Sequence, residues 1–506
     1  MKLSIAQINT TVGDLEGNVS RILDAAATAA KHGTDLIVFP EMTVPGYPPR
    51  DILYDSSFIE AVGHATDDLA LRAKGLPPML VGSFVPSGRR LYGHPALHNV
   101  IQFIHEGDMQ VAQVKQLLPV YDVFYESRWF VPGEKTLPPI EIAGQKIGIL
   151  VCEDMWDEEY PIHPGTELKA MGAEFLICIS ASPYRRGSMK GRIHHAQRQG
   201  LPLAFINLIG GNDELIFDGG SFILRGERLS RFEEQVRTID LSLSRADAER
   251  NADSAEEVFH ALVLGLKDFA AKNGLSRAVI GLSGGIDSSV AAVICAQALG
   301  PSNVTTVAIP SRFTDPRSTE CARELASLLG MSFETVELET LHRSAEQVLG
   351  PLGSGGLAGE NVQARLRMII LMNYVNRHGG FLVNTSNKTE LALGYSTLYG
   401  DMSGAISPLG DLTKPEVYEL ARYINRDSEV IPSFVMTRAP SAELRDGQVD
   451  PFDYERLAPE LEGLVLADQS NAKMRTSEHK RWQMGPVLKV NERSFGRGRM
   501  IPIARK

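Results

Sequence analysis

The sequence predicts an α/β protein built from two domains, and three observations carry that prediction. The chain has 506 residues, more than one core of ordinary size accommodates. Short apolar runs with strand character alternate with segments of helical period along both halves. Around 238–256 the character changes, where Asp240-Leu241-Ser242-Leu243-Ser244-Arg245 runs into the polar stretch from Ala246 to Asp253. A boundary there gives domains 1–245 and 246–506. In the first, strands are expected at 3–8, 35–39, 79–84, 99–104, 146–151, 174–180, 202–208 and 220–225. Helices are expected at 18–31, 56–73, 165–172 and 188–199. The second opens with a helix near 254–273. It continues as strand 277–282, helix 288–299, strand 304–309, helix 318–330 and strand 333–337. That is a right-handed parallel βαβ series, which receives nucleotides at the C-terminal ends of its strands. The stretch 351–360 is too rich in glycine for regular structure and reads as a loop. A helix is expected at 361–377 with Leu366, Ile369, Ile370 and Asn373 on one face. The chain closes in a basic tail, Arg493 to Lys506.

Composition narrows the class of partner. Apolar residues make up 43% and charged residues 22%, as in ordinary globular enzymes. The net charge of −11 argues against a nucleic acid held by phosphate neutralisation, so an anionic nucleotide must be met by local groups. The four cysteines, Cys152, Cys178, Cys295 and Cys321, are dispersed and suggest neither a zinc site nor a disulfide framework. The first residues read as a strand rather than a signal peptide, and no apolar run reaches membrane-spanning length. A cytoplasmic protein acting on small molecules is expected, with no membrane or nucleic-acid partner.

Two centres carry chemistry. Ala278-Val279-Ile280-Gly281-Leu282 reads as a buried strand, Ser283-Gly284-Gly285-Ile286-Asp287-Ser288-Ser289 as a turn, and Val290 onward as a buried helix. A strand feeding a glycine-rich turn and a helix N-terminus makes an anion cradle of backbone N–H groups, reinforced by the helix dipole. No lysine follows the glycines, so this is not the G-x-x-x-x-G-K-[ST] loop. The second centre lies upstream. Glu41 follows the run Asp35-Leu36-Ile37-Val38-Phe39-Pro40, Cys152 ends Ile147-Gly148-Ile149-Leu150-Val151, and Lys115 lies between them. A thiolate to attack an amide carbonyl, a carboxylate to move the proton and an ammonium to stabilise the oxyanion form a coherent set.

These motifs resemble known families. S-G-G-x-D-S resembles the loop of the PP-loop ATP pyrophosphatases. Glu41, Lys115 and Cys152 resemble the triad of the nitrilase superfamily. Together with Asn384-Thr385-Ser386-Asn387-Lys388-Thr389-Glu390, Asn361-Val362-Gln363-Ala364-Arg365 and His479-Lys480-Arg481, they make nearly the whole chain similar to the glutamine-dependent NAD+ synthetases. The resemblance implies an N-terminal nitrilase-like α-β-β-α sandwich and a C-terminal PP-loop parallel-sheet domain of the adenine nucleotide α hydrolase-like kind. It implies that deamido-NAD is adenylated by ATP and then amidated by ammonia released from glutamine. Glu41 would be the base, Cys152 the nucleophile and Lys115 the oxyanion partner, with Glu126 in support. Tyr121, Ser182 and Ser188 would hold glutamine. Family members often carry a basic residue where Ser188 stands, and Arg186 or Lys190 is the candidate substitute. Gly281, Leu282, Ser283, Gly284, Gly285, Ile286, Asp287, Ser288 and Thr385 would bind ATP. Asn361, Arg365, Glu390 and Lys480 would line the deamido-NAD side, and Asp287 and Glu390 would hold Mg2+. A homo-oligomer is also expected.

Other readings compete with these. Arg365 and Lys480 are also explicable as solvated charges, and Glu126 as half of a surface pair with Arg128. His194 and His195 offer an alternative partner for Cys152, but they lie in a polar helix. His94 and His98 are four apart, but Pro95 disfavours a helix that would converge them on a metal. At the level of activity, the alternatives are a PP-loop ligase with a different acceptor, or an amidase carrying a nucleotide-sensing module.

Overall fold

The computed structural model describes residues 1–242, 255–353, 355–499 and 501–503. The chain forms two compact units, Met1–Ala252 and Asp253–Lys506. The stretch 243–254, which holds the expected boundary at 245/246 and the first residue of the expected helix at 254–273, lies outside the described residues, as do 354, 500 and the last three residues of the basic tail.

The first unit is a four-layer sandwich. One sheet has the order β13-β1-β2-β3-β4-β5, with β1 Lys2–Gln7, β2 Leu36–Val38, β3 Met79–Leu91, β4 His94–His105, β5 Asp108–Val114 and β13 Gln235–Asp240. The other has the order β12-β9-β8-β7-β6, with β6 Ile140–Ile142, β7 Gln145–Val151, β8 Phe175–Ser180, β9 Leu203–Asn207 and β12 Phe222–Ile223. β1, β2 and β3 run parallel, as do β7, β8 and β9. Both sheets are covered on both faces, which is why their central strands read as unbroken apolar runs rather than alternations. Between them, Leu3, Ile5, Leu36, Val38, Leu80 and Ile101 meet Ile147, Ile149, Val151, Ile177, Ile179 and Ile206 in one dry core. Helices α1 Leu15–Ala30 and α2 Ser56–Arg72 cover the outer face of the first sheet. α1 starts where Asp14 accepts a hydrogen bond from the Gly17 N–H, and it buries Val19, Ile22, Ala26 and Ala29 at helical spacing. Helices α3 Pro164–Ala170 and α4 Ser188–Arg198 cover the second sheet through Leu168, Met189 and Ala196. A small hairpin of β10 Ile209–Asn212 and β11 Leu215–Asp218 completes the unit.

The second unit is built on a parallel sheet of order β16-β15-β14-β17, with β14 Ala278–Gly281, β15 Val304–Ala308, β16 Ser332–Thr335 and β17 Phe381–Leu382. Helices α5 Ala255–Lys272, α6 Ile286–Leu299 and α11 Lys414–Ile424 pack together, while α7 Pro316–Leu329 leads from β15 to β16. Helices α8 Glu339–Leu349 and α9 Leu357–His378 pack against each other, and Leu366 and Leu371 of α9 meet Val279, Val307 and Leu382 of the sheet. The short α10, Lys388–Leu393, begins in a capping box of Asn387 and Glu390.

Three expectations need correction. The loop 351–360 is shorter than its glycines suggest, because Leu357-Ala358-Gly359-Glu360 form the first turn of α9. The buried stripe of α9 is set by Gln363, Ala364, Leu366 and Leu371, whereas Ile369 is 59% exposed and Asn373 is exposed. The expected strand 220–225 contracts to Phe222–Ile223, because Leu224 and Arg225 turn toward Gly226.

Candidate active sites

In the first unit, Glu41, Lys115 and Cys152 sit beyond the ends of β2, β5 and β7. Gly82 of β3 packs against the backbone of Pro40, Glu41 and Met42 so closely that a Cβ there would collide with it. Cys152 takes φ +48°, a strained left-handed conformation at the junction of β7 and a 3-10 turn. Such strain at a strand end marks a site where the surrounding structure dictates a side chain's aim. The Lys115 ammonium is fully buried, 2.8 Å from Glu41 Oε1 and 2.9 Å from Glu126 Oε1. Asn99 Nδ2 also donates to Glu41 Oε1 (2.7 Å), and the Ala181 N–H donates to Glu41 Oε2 (2.9 Å). Tyr47 donates to Glu126 Oε1 (3.1 Å).

One cation thus serves two carboxylates in a dry pocket, and the titration of each group follows. Burial pushes the Glu126 carboxyl up to about 7, with Lys115 opposing and Glu41 assisting. Burial alone would lower the Lys115 ammonium, but Glu126 and Glu41 outweigh it and hold it well above its ordinary value. Burial and the Glu41 charge push the Cys152 thiol up against the pull of Lys115. The resting sulfur is therefore a thiol, and attack on a carbonyl requires a base to take its proton.

The expected supporting residues surround this centre. Glu126 is buried on Lys115, while Arg128 pairs with Asp51 (3.0 Å), so the surface-pair reading fails. Tyr121 is half exposed and donates to Glu153, the neighbour of Cys152, as Tyr160 also does. Ser182 is pinned through its carbonyl by Arg192 Nη2 (2.8 Å) and Asn207 Nδ2 (3.0 Å), with Arg192 itself fully buried on Asp218. Ser188 lies in the first turn of α4, and its buried hydroxyl has no hydrogen-bond partner among the described residues. His195 packs at a tilt against Trp156 and His194 faces Glu158, contacts that account for both rings without Cys152.

In the second unit, the turn after β14 and the start of α6 border two cavities. One, of ≈ 380 Å³, is lined by Ser283, Gly285, Ile286, Asp287, Ser288, Asn361, Thr385, Glu390, Asp401, Lys414 and Lys480, among others. The other, of ≈ 270 Å³, is bordered by Gly281, Leu282, Ser283, Val307, Ile309, Arg367, Leu382 and Thr385 at the C-terminal ends of the strands. Ser283 and Thr385 belong to both walls. Gly284 borders neither, because it is packed on the Ser318 backbone at φ +77°, where no other residue would fit.

Asp287 and Glu390 converge on one ammonium. Lys414 Nζ lies 2.5 Å from Asp287 Oδ2 and 3.6 Å from Glu390 Oε1, and Asn387 Nδ2 donates to Asp287 Oδ1 (2.9 Å). Burial and the Asp287 charge push the Glu390 carboxyl up to about 8, with Lys414 opposing. Lys480 donates to the Gly394 (2.9 Å) and Ser396 (2.7 Å) carbonyls at the cavity wall, and burial lowers its ammonium. Asn361 accepts from Thr397 Oγ1 (2.7 Å). Arg365 is the one expected residue of this side that does not border the cavity. It lies one turn further along α9, with Nε on the Leu398 carbonyl (3.1 Å).

Sequence reasoning missed Asn99 and Tyr47 in the first unit and Lys414 in the second. Lys414 left a signal: it is the first residue of a helix opened by the Thr413/Glu416 capping box, where the dipole disfavours a cation. A lysine there needs anionic partners, and Asp287 and Glu390 supply them.

Two family models divide the chain between them. Residues 2–251 match the carbon-nitrogen hydrolases and residues 258–494 match NAD synthase. The class defined by fold and site is therefore an amide-cleaving unit joined to a nucleotide-dependent synthetase unit. A glutamine-dependent NAD(+) synthetase of Synechocystis sp. is 38% identical, covering 99% of this chain and 98% of its own. Its counterpart in Thermotoga maritima is 33% identical over 100% and 99% of the two chains. The solved structure of the Acinetobacter baumannii glutamine-dependent NAD+ synthetase in complex with ADP superposes with a TM-score of 0.79 at 30% identity, covering 99% of this chain and 98% of that one. The chain belongs to the glutamine-dependent NAD+ synthetases.

Proposed function

We propose that the chain amidates deamido-NAD to NAD+ through an adenylated intermediate, with ammonia released from glutamine by the first unit. One observation carries the reading: a single chain holds an amide-hydrolase unit and an NAD synthase unit end to end, at full-length similarity to named glutamine-dependent NAD+ synthetases.

In the first unit, Glu41 takes the Cys152 proton as sulfur attacks the glutamine amide carbon. The Lys115 ammonium faces the developing oxyanion, and the proton passes to the leaving nitrogen, which departs as ammonia. Water then enters with Glu41 as base and frees glutamate. Glu126 and Tyr47 hold Lys115 in place while Asn99 and the Ala181 N–H aim Glu41. Tyr121, Ser182 and Ser188 are proposed to hold glutamine.

In the second unit, the turn 281–288 and Thr385 receive the ATP phosphates, and the apolar strand ends of the smaller cavity receive the base. A deamido-NAD carboxylate oxygen attacks the α-phosphorus and pyrophosphate leaves. Ammonia adds to the resulting acyl adenylate and AMP leaves with that oxygen. Asn361, Glu390 and Lys480 line the acceptor side, with Arg365 behind it. Among the described residues no cluster of three or more metal-ligand side chains exists. The two carboxylates that already share the Lys414 ammonium nevertheless fit Mg2+, which is commonly held by one or two carboxylates plus phosphates. Bound there by Asp287 and Glu390, it would neutralise phosphate charge.

A cytoplasmic setting and a homo-oligomer belong to the same proposal. All four cysteines are unpaired, and exposed apolar Val348 and Leu352 offer surface that a second copy would cover. Among the described residues, no helix is long and apolar enough to cross a membrane. The test is pyrophosphate release with ATP and glutamine across a panel of carboxylate acceptors. Release with deamido-NAD alone supports the reading. Release with another acceptor instead, or amide hydrolysis with no acceptor-dependent release, refutes it.

A further inference from the structure

Asp154 stands two residues beyond Cys152 and belongs to none of the sets above. Its side chain is buried at 1% exposure. No lysine, arginine or histidine lies within ion-pair distance of it among the described residues. It is held by main-chain donors alone. Oδ1 accepts from the N–H groups of Gln116 (3.0 Å) and Leu117 (2.8 Å), and Oδ2 accepts from the N–H of Val151 (3.1 Å). Gln116 and Leu117 directly follow Lys115, and Val151 directly precedes Cys152. β5, which leads to Lys115, and β7, which leads to Cys152, belong to different sheets. The carboxylate therefore joins the two chain segments that carry the ammonium and the thiol, across the gap between the sheets.

A buried carboxylate with no cation in contact, only the more distant Lys115 charge, is an expensive way to close a turn. Burial pushes its carboxyl up to about 7 even against its three N–H donors. A serine or asparagine would close a turn at lower cost. Only an ionised carboxylate accepts from three N–H groups on two sides while presenting no donor of its own. Gln113 Nε2 of β5 donates to the Ile149 carbonyl of β7 (3.3 Å), one directional tie between the strands, but the apolar core between the sheets does not by itself fix the offset of one sheet against the other. Directional hydrogen bonds do. The Lys115 main chain itself bonds elsewhere, its N–H to the Asn99 carbonyl (2.9 Å) and its carbonyl to the Gly133 N–H (2.9 Å).

We propose that Asp154 is a positioning residue for amide cleavage, setting the Lys115 ammonium against the Cys152 thiol by bridging their two backbone segments. The inference rests on the glutaminase reading above. Its prediction is specific to acyl chemistry. Attack on an amide needs sulfur and ammonium on the same carbonyl, and a displacement of about 1 Å costs on the order of 100-fold. Alkylation of the same sulfur by iodoacetamide forms no oxyanion, so it draws on Lys115 only through that ammonium's pull on the thiol proton.

The test is Asp154→Asn. An amide oxygen can serve the Gln116/Leu117 side or the Val151 side, and the amide NH2 then opposes the remaining N–H. Each half keeps a partner in turn, but the bridge is lost. The expected result is a fall of about 100-fold in kcat for glutamine hydrolysis, with KM and the iodoacetamide rate at the Cys152 peptide both within about threefold of wild type. Unchanged hydrolysis overturns the proposal. So does a parallel fall in hydrolysis and alkylation, which would mean that Asp154 only keeps the unit folded. A wild-type chain that alkylates at Cys152 but does not hydrolyse glutamine would instead overturn the glutaminase reading itself.

Discussion

Replacing Lys115 with methionine should destabilise the first unit in a pH-dependent way. The ammonium is 0% exposed and bonded to Glu41 and Glu126 at 2.8 and 2.9 Å. Methionine fills the volume but strands both carboxylates, whose facing oxygens are then at most about 5.7 Å apart by those two distances, a repulsion of about 3 kcal/mol at an effective dielectric of about 20. Removing one partner from a buried ion network generally costs about 3–5 kcal/mol. For a unit of this size that corresponds to a fall of roughly 6–20 °C in the midpoint of its transition. The sign with pH follows from Glu126, whose carboxyl is raised to about 7 in the folded chain. A raised carboxyl stabilises the fold below its unfolded value, and that contribution is lost as pH rises through the folded one. At pH 5.5 Glu126 is largely protonated and the variant strands one charge. Lys115 lowers that carboxyl, so the variant raises it further, and at pH 8 Glu126 either holds a proton that the unfolded chain has released or strands a second charge, both costlier than at pH 5.5. Thermal unfolding of the full chain at both values, with cleavage of the first unit by a protease as a local probe, should therefore give the larger deficit at pH 8. A deficit that is equal at the two values, or larger at pH 5.5, would refute the reasoning.

Four further outcomes are expected. Cys152→Ala should abolish synthesis from glutamine while leaving synthesis from ammonium chloride at high pH, and coupled NAD+ assays with each nitrogen source distinguish the two. Asp287→Ala should abolish synthesis from either source, since it removes a carboxylate from the phosphate turn and leaves Lys414 with the more distant Glu390; persistent synthesis from ammonia would rule out the metal role. Gly284→Ala forces a Cβ into the Ser318 backbone at φ +77° and should abolish nucleotide binding while glutamine hydrolysis persists, as read by ATP titration and glutamate release. Glu390, raised to about 8, is mostly protonated at pH 7 and must ionise to hold Mg2+, so Mg-ATP binding should release a proton that calorimetry in two buffers detects and that Glu390→Gln removes.

The chemistry was more legible in the sequence than the network that aims it. Glu41, Cys152 and the turn 283–288 each end an apolar strand, so local pattern marked them. Asn99, Tyr47 and Ala181 reach Glu41 and Glu126 from positions 58 to 140 residues away, or 79 for Tyr47, and no local period encodes such a contact. β5 escaped notice because it is an edge strand of polar composition, Asp-Met-Gln-Val-Ala-Gln-Val, with only Ala112 and Gln113 buried. The hairpin of β10 and β11 was hidden because Gly210-Gly211 interrupt the apolar pattern of β10, and β13 is a polar edge strand running into the composition break. The early start of α9 was masked by the glycines before it, since Gly356 at φ +59° is a turn residue while Gly359 is helical. Arg365 shows the opposite failure: a motif match carried it to the acceptor side, but its guanidinium is turned to the Leu398 carbonyl.

The central claim is that one chain frees ammonia from glutamine and uses it to displace AMP from an acyl adenylate. It is tested most directly by supplying amide-15N glutamine, ATP and deamido-NAD labelled with 18O in its carboxylate, and weighing the products. The account predicts 15N in the carboxamide of NAD+ and one 18O in the phosphate of AMP. Absence of 18O from AMP, or its appearance in orthophosphate beside ADP, would contradict it.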